Sequence, residues 1–210
     1  PFANYNVLIL DQQFNKNSSV SFINTNVLRE GTARDANASG ILYTLVNKAN
    51  THFIDGSAKM SSIRENGNKI NGYSFETKLG KFAGKFQYEL EYNMADENYD
   101  INDLGFQRRN DYQRFEGQLS YRIFEPTNTF NRFSIRTSVD LDYRKSDGAY
   151  TGNRFGINFR ATTVKQFSFG GNINANIGNQ YDYYEPRVED RYFADSPRLN
   201  FDSWVSSDFS

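Results

Sequence analysis

Apolar and polar residues alternate with a period of two along most of this chain. From Phe167 to Ile177, aromatic, aliphatic and glycine residues occupy every second position, and serine, glycine or asparagine occupies the positions between them. Because successive side chains of a β-strand point to opposite faces, such a segment has one apolar and one polar face. No segment keeps a helical period over three turns. The pattern therefore predicts an all-β fold.

About a dozen strands are predicted along residues 1–210. Most exceed the roughly 5–6 residues usual in soluble proteins and approach the roughly 9–11 residues that cross a bilayer at a tilt. The predicted strands are 5–11, 18–28, 36–45, 51–60, 72–79, 82–93, 113–123, 133–143, 152–162, 167–177, 186–193 and 199–207.

The connections between these strands alternate in length. Short connections are predicted at 46–50, 80–81 and 163–166, and somewhat longer ones at 12–17 and 124–132. Long polar or glycine-rich connections are predicted at 29–35, 61–71, 94–112, 144–151 and 178–185. Outer-membrane barrels have tight turns at one end and longer loops at the other. The pattern favours an antiparallel transmembrane β-barrel over a large soluble sandwich, whose faces would also alternate.

The barrel model assigns a direction to each alternating side chain. A charge facing lipid near the midplane costs roughly 2–4 kcal/mol, whereas the lumen accepts it. The residues predicted to face lipid are Tyr88, Leu90, Tyr92, Val139, Leu141, Ile157, Phe159, Phe169 and Ile173. The residues predicted to face the lumen are Glu89, Glu91, Asp140, Asp142, Asn158, Asn172 and Asn174.

Composition narrows the function classes. No apolar run reaches the roughly 18 residues of a membrane helix, and the 16% aromatic content argues against disorder. The formal net charge of −1 lacks the cationic excess typical of nucleic-acid binding. The absence of cysteine excludes disulfides and thiolate metal sites. A membrane barrel is compatible with all of these features.

Four segments, in the same order along the chain, resemble a known family. They are Ser18–Arg29, Asp100–Asn110, Tyr121–Pro126 and Tyr184–Glu189. Together they resemble the uncharacterised outer-membrane barrel domain of Bacteroidetes proteins that follows a family-9-like carbohydrate-binding domain. The resemblance implies an outer-membrane location and supplies no catalytic residues. It also implies that residues 1–210 are an incomplete barrel domain, with further strands expected and the upstream carbohydrate-binding domain absent from this chain.

Few residues offer chemistry. His52 is the only histidine, so neither a catalytic triad nor a multi-histidine metal site can be built within the chain. The acidic segment Asp96–Asp103 resembles a calcium loop, but the positions that require glycine and a bidentate glutamate hold Ile101 and Gln107. A solvated acidic loop is favoured, and the pair Arg108-Arg109 in the same loop is interpreted as solvated or near lipid headgroups.

An acidic group among tyrosines is the remaining candidate. Paired carboxylates beside aromatic rings could hold or hydrolyse a glycan. An aromatic girdle at the membrane interface explains the same residues and is favoured. The acids are Asp182, Glu185, Glu189 and Asp190, and the rings are Tyr181, Tyr183, Tyr184 and Tyr192.

The leading functional hypothesis is an outer-membrane barrel with a passage, docking or assembly role at the bacterial cell surface, linked to glycan handling through the upstream domain. We expect no catalytic site, no cofactor and no metal in this segment. The expected partners are outer-membrane lipid, other outer-membrane proteins and glycans, and not nucleic acid. Two alternatives remain: a barrel-borne hydrolase acting on glycans, and a soluble carbohydrate-binding sandwich.

Overall fold

The computed structural model describes residues 2–31, 33–188 and 191–207. In these ranges every regular element is a β-strand, which confirms the all-β prediction. The strands are β1 (Ala3–Asn15), β2 (Ser18–Arg29), β3 (Asp35–Val46), β4 (His52–Glu65), β5 (Asn68–Lys81), β6 (Phe86–Ala95), β7 (Tyr112–Ile123), β8 (Phe130–Arg144), β9 (Tyr150–Thr163), β10 (Ser168–Asn176), β11 (Gln180–Asp182), β12 (Phe193–Asp195) and β13 (Arg198–Ser206).

Eleven of these strands form one antiparallel sheet, in the order β1 to β10 followed by β13. Strands β1 to β10 therefore pair with their neighbours in sequence, as in an up-and-down meander, and β13 pairs with β10. The sheet is open as described, with β1 and β13 as its outer strands. Strands β11 and β12 form a separate two-stranded sheet. No helix in the described ranges has the length and apolarity to cross a membrane.

The predicted strand at 186–193 is wrong. Tyr183–Val188 lies outside any strand, and the short strands β11 and β12 pair on either side of this segment. Arg187 has a φ of 51°, in the left-handed region that an extended strand excludes. The local backbone therefore turns where the alternation indicated extension.

The long connection predicted at 61–71 is also wrong. Strands β4 and β5 run through this segment and leave only Asn66 and Gly67 between them, with φ values of 51° and 78°. Two central residues with positive φ are the signature of a tight hairpin turn, for which Asn-Gly is the preferred pair.

The two-residue turn expected at Gly80-Lys81 is likewise strand, and the chain turns at 82–85, where Gly84 has a φ of 82°.

The chain divides into two compact units. Unit 1 comprises Pro1–Leu79, Glu91–Arg114 and Tyr143–Ala149, and unit 2 comprises Gly80–Leu90, Phe115–Asp142 and Tyr150–Ser210.

The register of β1 to β4 defines two faces of unit 1. Leu10, Phe22, Ile41 and Ala58 are aligned across the four strands, and the adjacent row on the opposite face is Asp11, Ser21, Leu42 and Ser57. We call the first side the apolar face of unit 1. The second side, which also carries Asp55, Lys59 and Ser61, is the polar face of unit 1.

Unit 1 buries few side chains for its size. Among its described residues the most enclosed apolar ones are Val27, Ala36, Ile63, Ala95 and Tyr99, each at most 7% exposed. By register, Val27, Ala36 and Ile63 occupy one row of the polar face. Phe22 and Ile41 on the apolar face are exposed. A soluble domain normally buries aligned apolar side chains such as these two, and unit 1 leaves them open.

Candidate functional site

The apolar face of unit 2 is built by β9, β10 and β13. The register aligns Ile157, Ile173 and Phe201 in one row and Ala161, Phe169 and Val205 in another. Ile157 is 40% exposed, and Phe201 on the outer strand is 67% exposed. Period-two alternation in three paired strands thus aligns apolar side chains on one face, and several of them, among them Ile157, Phe201 and Val205, are open to the surroundings.

The opposite side of the same three strands is the polar face of unit 2. Asn158 donates a hydrogen bond to Asn172, and the Asn172 amide donates to an Asp202 carboxylate oxygen at 2.7 Å. One row further along, the Arg160 guanidinium carbon lies 5.5 Å from the centroid of the Trp204 ring, a cation–π contact. This face satisfies its polar groups across strands.

The residues predicted to face lipid or lumen can be placed on the observed strands. Ile157, Phe159, Phe169 and Ile173 share the apolar face of unit 2, and Asn158, Asn172 and Asn174 share its polar face. The Leu90 and Val139 side chains both lie beside Gly117. Tyr88 is 40% exposed, and Glu89, Asp140, Leu141 and Asp142 are half-buried.

Two further residues from that set lie in unit 1. Tyr92 lies 6.2 Å from Phe75 between ring centroids, and Glu91 forms an ion pair with Lys78 at 2.9 Å. The Tyr43 hydroxyl on the apolar face bonds Thr77, so strand alternation places Phe75 on the apolar face and Lys78 on the polar one. Tyr92 and Glu91 therefore belong to opposite faces.

The β6–β7 loop (96–111) is tied to the β2–β3 connection by an arginine–aspartate cluster, defined as Arg29, Arg34, Asp100 and Asp103. Asp103 accepts from both arginines at 2.8 Å, and Asp100 accepts from Arg34 at 2.6 Å. The two carboxylates raise the pKa of Arg34. Burial opposes ionisation of Asp100, but bonds from the Asn102 amide and from Arg34 outweigh it and lower its pKa. Two positive and two negative charges thus meet in one cluster.

The same loop packs onto the polar face of unit 1. The Asp100 amide donates to Ser61 Oγ at 3.0 Å, and Ser61 is 1% exposed. Tyr99 is 5% exposed, and burial together with nearby Tyr112 raises its pKa to about 12. A Cβ added to Gly72 would lie 2.2 Å from the backbone of Asn98 and Tyr99. Glycine is therefore required where strand and loop approach each other.

Both ends of the loop are held as well. Asp96 accepts from the Tyr73 amide at 2.9 Å, and the Asp111 carboxylate accepts from the amide and hydroxyl of Ser146 at 2.7 and 2.8 Å. Asp96, Asp100 and Asp103 of the segment that resembled a calcium loop are thus bonded to protein groups. Among the described residues, no group of three or more acidic or histidine side chains could hold a metal ion.

The acidic group among tyrosines forms a structured turn. Asp182 Oδ1 accepts from the amides of Tyr184 and Glu185 at 2.8 and 3.1 Å, a local role that stabilises the turn. The rings of Tyr181 and Tyr192 meet edge to face at 5.1 Å. Glu185 is exposed. Glu189 and Asp190 lie outside the described residues.

His52 also belongs to a turn. Its Nδ1 atom lies 2.8 Å from the Thr51 hydroxyl, and its amide donates to the Asn47 side chain at 3.1 Å. Asn47 accepts from the Thr51 amide too, at 2.8 Å. These contacts close the β3–β4 connection, which is a structural role.

A polar cleft of about 340 Å³ opens on unit 1. Most of its lining belongs to the polar face, where hydroxyl groups alternate with charges. The lining residues are Ser19, Ser21, Leu42, Tyr43, Thr44, Asp55, Gly56, Ser57, Lys59 and Glu76.

The arginine–aspartate cluster and its neighbours Ser61 and Gly72 were not found from the sequence. Arg29 and Asp100–Asn110 both lie in segments that carry the family resemblance, which is the signal that could have linked them. Nothing local in the sequence pairs Arg34 with an aspartate 69 residues away.

The fold and the faces define an all-β domain with an open meander and exposed apolar surface. The chain belongs to the family described as a domain of unknown function, DUF5916, whose model matches residues 1–210. No curated protein and no solved structure matches the chain.

Proposed function

We propose that this chain is part of a bacterial outer-membrane β-barrel, with its apolar faces toward lipid and its polar faces toward the lumen. The main supporting observation is the apolar face of unit 2, where paired strands expose aligned apolar side chains such as Ile157, Phe201 and Val205. Such a surface is unfavourable in water at roughly 25 cal/mol per Å² of apolar area. Contact with lipid removes that cost.

The backbone geometry supports the same proposal. Strands in bilayers must satisfy every amide and carbonyl by pairing with neighbours. The meander does this for its inner strands, of 9 to 15 residues, and leaves one edge each of β1 and β13 for closure of the barrel to pair. An outer-membrane strand needs roughly 9–11 residues at a tilt. Closure of the barrel, the Bacteroidetes origin and the preceding carbohydrate-binding domain are parts of the proposal that rest on the resemblance.

The soluble carbohydrate-binding sandwich is the weaker candidate. A sandwich packs a second sheet about 10 Å from the apolar face of the first. Ile157 on that face of unit 2 is 40% exposed, and the additional sheet has two strands of 3 residues each. A barrel needs no second sheet, because lipid covers its apolar side.

The role proposed for the barrel is passage, docking or assembly at the cell surface, linked to glycan handling. Its partners would be outer-membrane lipid, other outer-membrane proteins and glycans. The polar faces, with Asp202, Glu91 and Lys78, suit a wet lumen. We propose no enzymatic activity for this domain.

Membrane extraction of the complete protein from its native cells tests the proposal. We expect it in the outer-membrane fraction, resistant to a urea or carbonate wash and released by detergent. A folded barrel should also migrate faster than the boiled sample on electrophoresis. Recovery in the soluble fraction without detergent would contradict the proposal.

A further inference from the structure

We infer that the β6–β7 loop is a plug that lies in the barrel lumen and narrows it, held there by the arginine–aspartate cluster. This inference rests on the proposed function, because only a barrel gives the polar face of unit 1 a lumen to enclose. Outer-membrane barrels include examples whose interior is blocked by loops. The loop lies against the polar face of unit 1 and does not project beyond the ends of β4 and β5. This position is the observation that points to a plug.

The loop packs on the polar face of the sheet, which is the side expected to face the lumen. Ser61, which bonds the Asp100 amide, is in register with Ala38 and Thr25, and by alternation shares its face with Lys59 and Ser57. Gly72 lies against Asn98 and Tyr99 and has the same parity along β5 as Lys78. Both strands thus receive the loop on the polar face. A loop on the apolar face would instead collide with lipid.

Residues of the loop and residues of that face are both enclosed. Val27, Ala36 and Ile63 are among the most enclosed residues of unit 1, although their row lies near one end of the strands. Tyr99 from the loop is equally enclosed. The enclosure of Tyr99, the Asp100–Ser61 hydrogen bond and the close approach at Gly72 fix the plug's position more firmly than solvated loops are fixed.

The cluster is suited to hold the loop in place. Its side chains are partly withdrawn from water, with Asp103 at 12% and Arg29 at 26% exposure. Removing one partner of such a pair leaves the other charge without compensation, so closure should weaken sharply. The Arg34 side chain contacts both aspartates, which makes it the most informative residue to change.

Permeability of the complete protein in lipid vesicles tests the plug. We expect a low rate of vesicle swelling in a small sugar for the native protein, and a several-fold higher rate for Arg34→Ala and Asp103→Asn. The matched control is Arg198→Ala, which removes an exposed ion pair with Asp195 and should leave the rate unchanged. Equal rates for all variants, with normal membrane insertion, would overturn the plug and leave the barrel proposal standing.

A reversible tether gives an independent test, since the native chain has no cysteine. In the variant Ser61→Cys with Asp100→Cys, the loss of Asp100 should raise the swelling rate while the thiols are reduced. Diamide accepts two electrons and two protons from the thiols as the disulfide forms, and the rate should then fall. Equal swelling rates for the reduced and the disulfide-bonded variant would overturn the plug. Failure of the native protein to insert into vesicles would overturn both the plug and the proposed function.

Discussion

The amide of Asp100 donates to the hydroxyl oxygen of Ser61 at 3.0 Å, although 39 residues separate them. Ser61 lies inside β4 and Asp100 lies in the β6–β7 loop. A single hydrogen bond between a strand and a distant loop shows that the loop lies along the sheet. The position of the longest connection in unit 1 is therefore part of the fold and not a solvated excursion.

The first prediction concerns the apolar face of unit 2. Replacing Ile157 with Arg should destabilise the membrane-inserted protein by roughly 2–4 kcal/mol if the site is near the midplane, because lipid cannot solvate the charge. Unfolding in urea from vesicles measures the change. The matched control is Asn158→Arg, one residue along the same strand on the polar face, which should cost much less. Equal costs would contradict the assignment of faces.

The second prediction concerns the close approach at Gly72. Gly72→Ala should displace the β6–β7 loop, because the new Cβ would lie 2.2 Å from the backbone of Asn98. Trypsin should then cleave faster after the exposed residues Arg108 and Arg109. Gly105→Ala is the control within the loop, since its Cβ would meet Ile101 at 3.4 Å, an ordinary contact. An unchanged cleavage rate in Gly72→Ala would count against close packing there.

The third prediction concerns alkaline pH. Burial raises the pKa of Tyr99 from 10.0 to about 12, so the packed loop binds the phenol proton more tightly than an open loop does. The resulting stabilisation is complete below pH of about 10 and is lost as pH rises from about 10 to about 12. Cleavage after Arg109 should therefore accelerate across this range.

Tyr99→Phe provides the control for that titration. Phenylalanine keeps the ring but has no ionisable group, so the rise in cleavage between pH 10 and 12 should shrink. An identical alkaline rise in the variant would assign the effect to other groups.

The fourth prediction concerns chemistry. Replacing His52 with Gln, or Glu185 with Gln, should leave any glycan hydrolysis by the complete protein unchanged, since His52 closes a turn and Glu185 is exposed. Asp182→Asn tests the third candidate, which bonds two backbone amides. Product release from a panel of oligosaccharides measures the activity. A loss of turnover with retained folding in any of the three would favour the hydrolase alternative.

Local alternation was sufficient to predict most strands. The side chains of Ile157 and Asn158 lie on opposite faces because those of neighbouring strand residues always do. This rule needs no tertiary information. The Asn66-Gly67 turn was also readable, since that dipeptide is a strong hairpin signal. The polar residues around it are also typical of a longer loop, so the pattern predicts one long connection at 61–71 instead. The segment 186–193 alternates like a strand, yet the positive φ of Arg187 ends any extension there.

The position of the β6–β7 loop was decided by tertiary structure alone. Arg34 and Asp103 are 69 residues apart, and their contact depends on the strands that bring both connections together. The sequence showed an acidic loop but not which basic residues would pair with it. Any lysine or arginine could be the partner until the folded backbone fixes the distances between charges. Composition and period thus determined the strands and their two-sided character. Only the folded sheet decided that one side carries a packed loop while the other remains open.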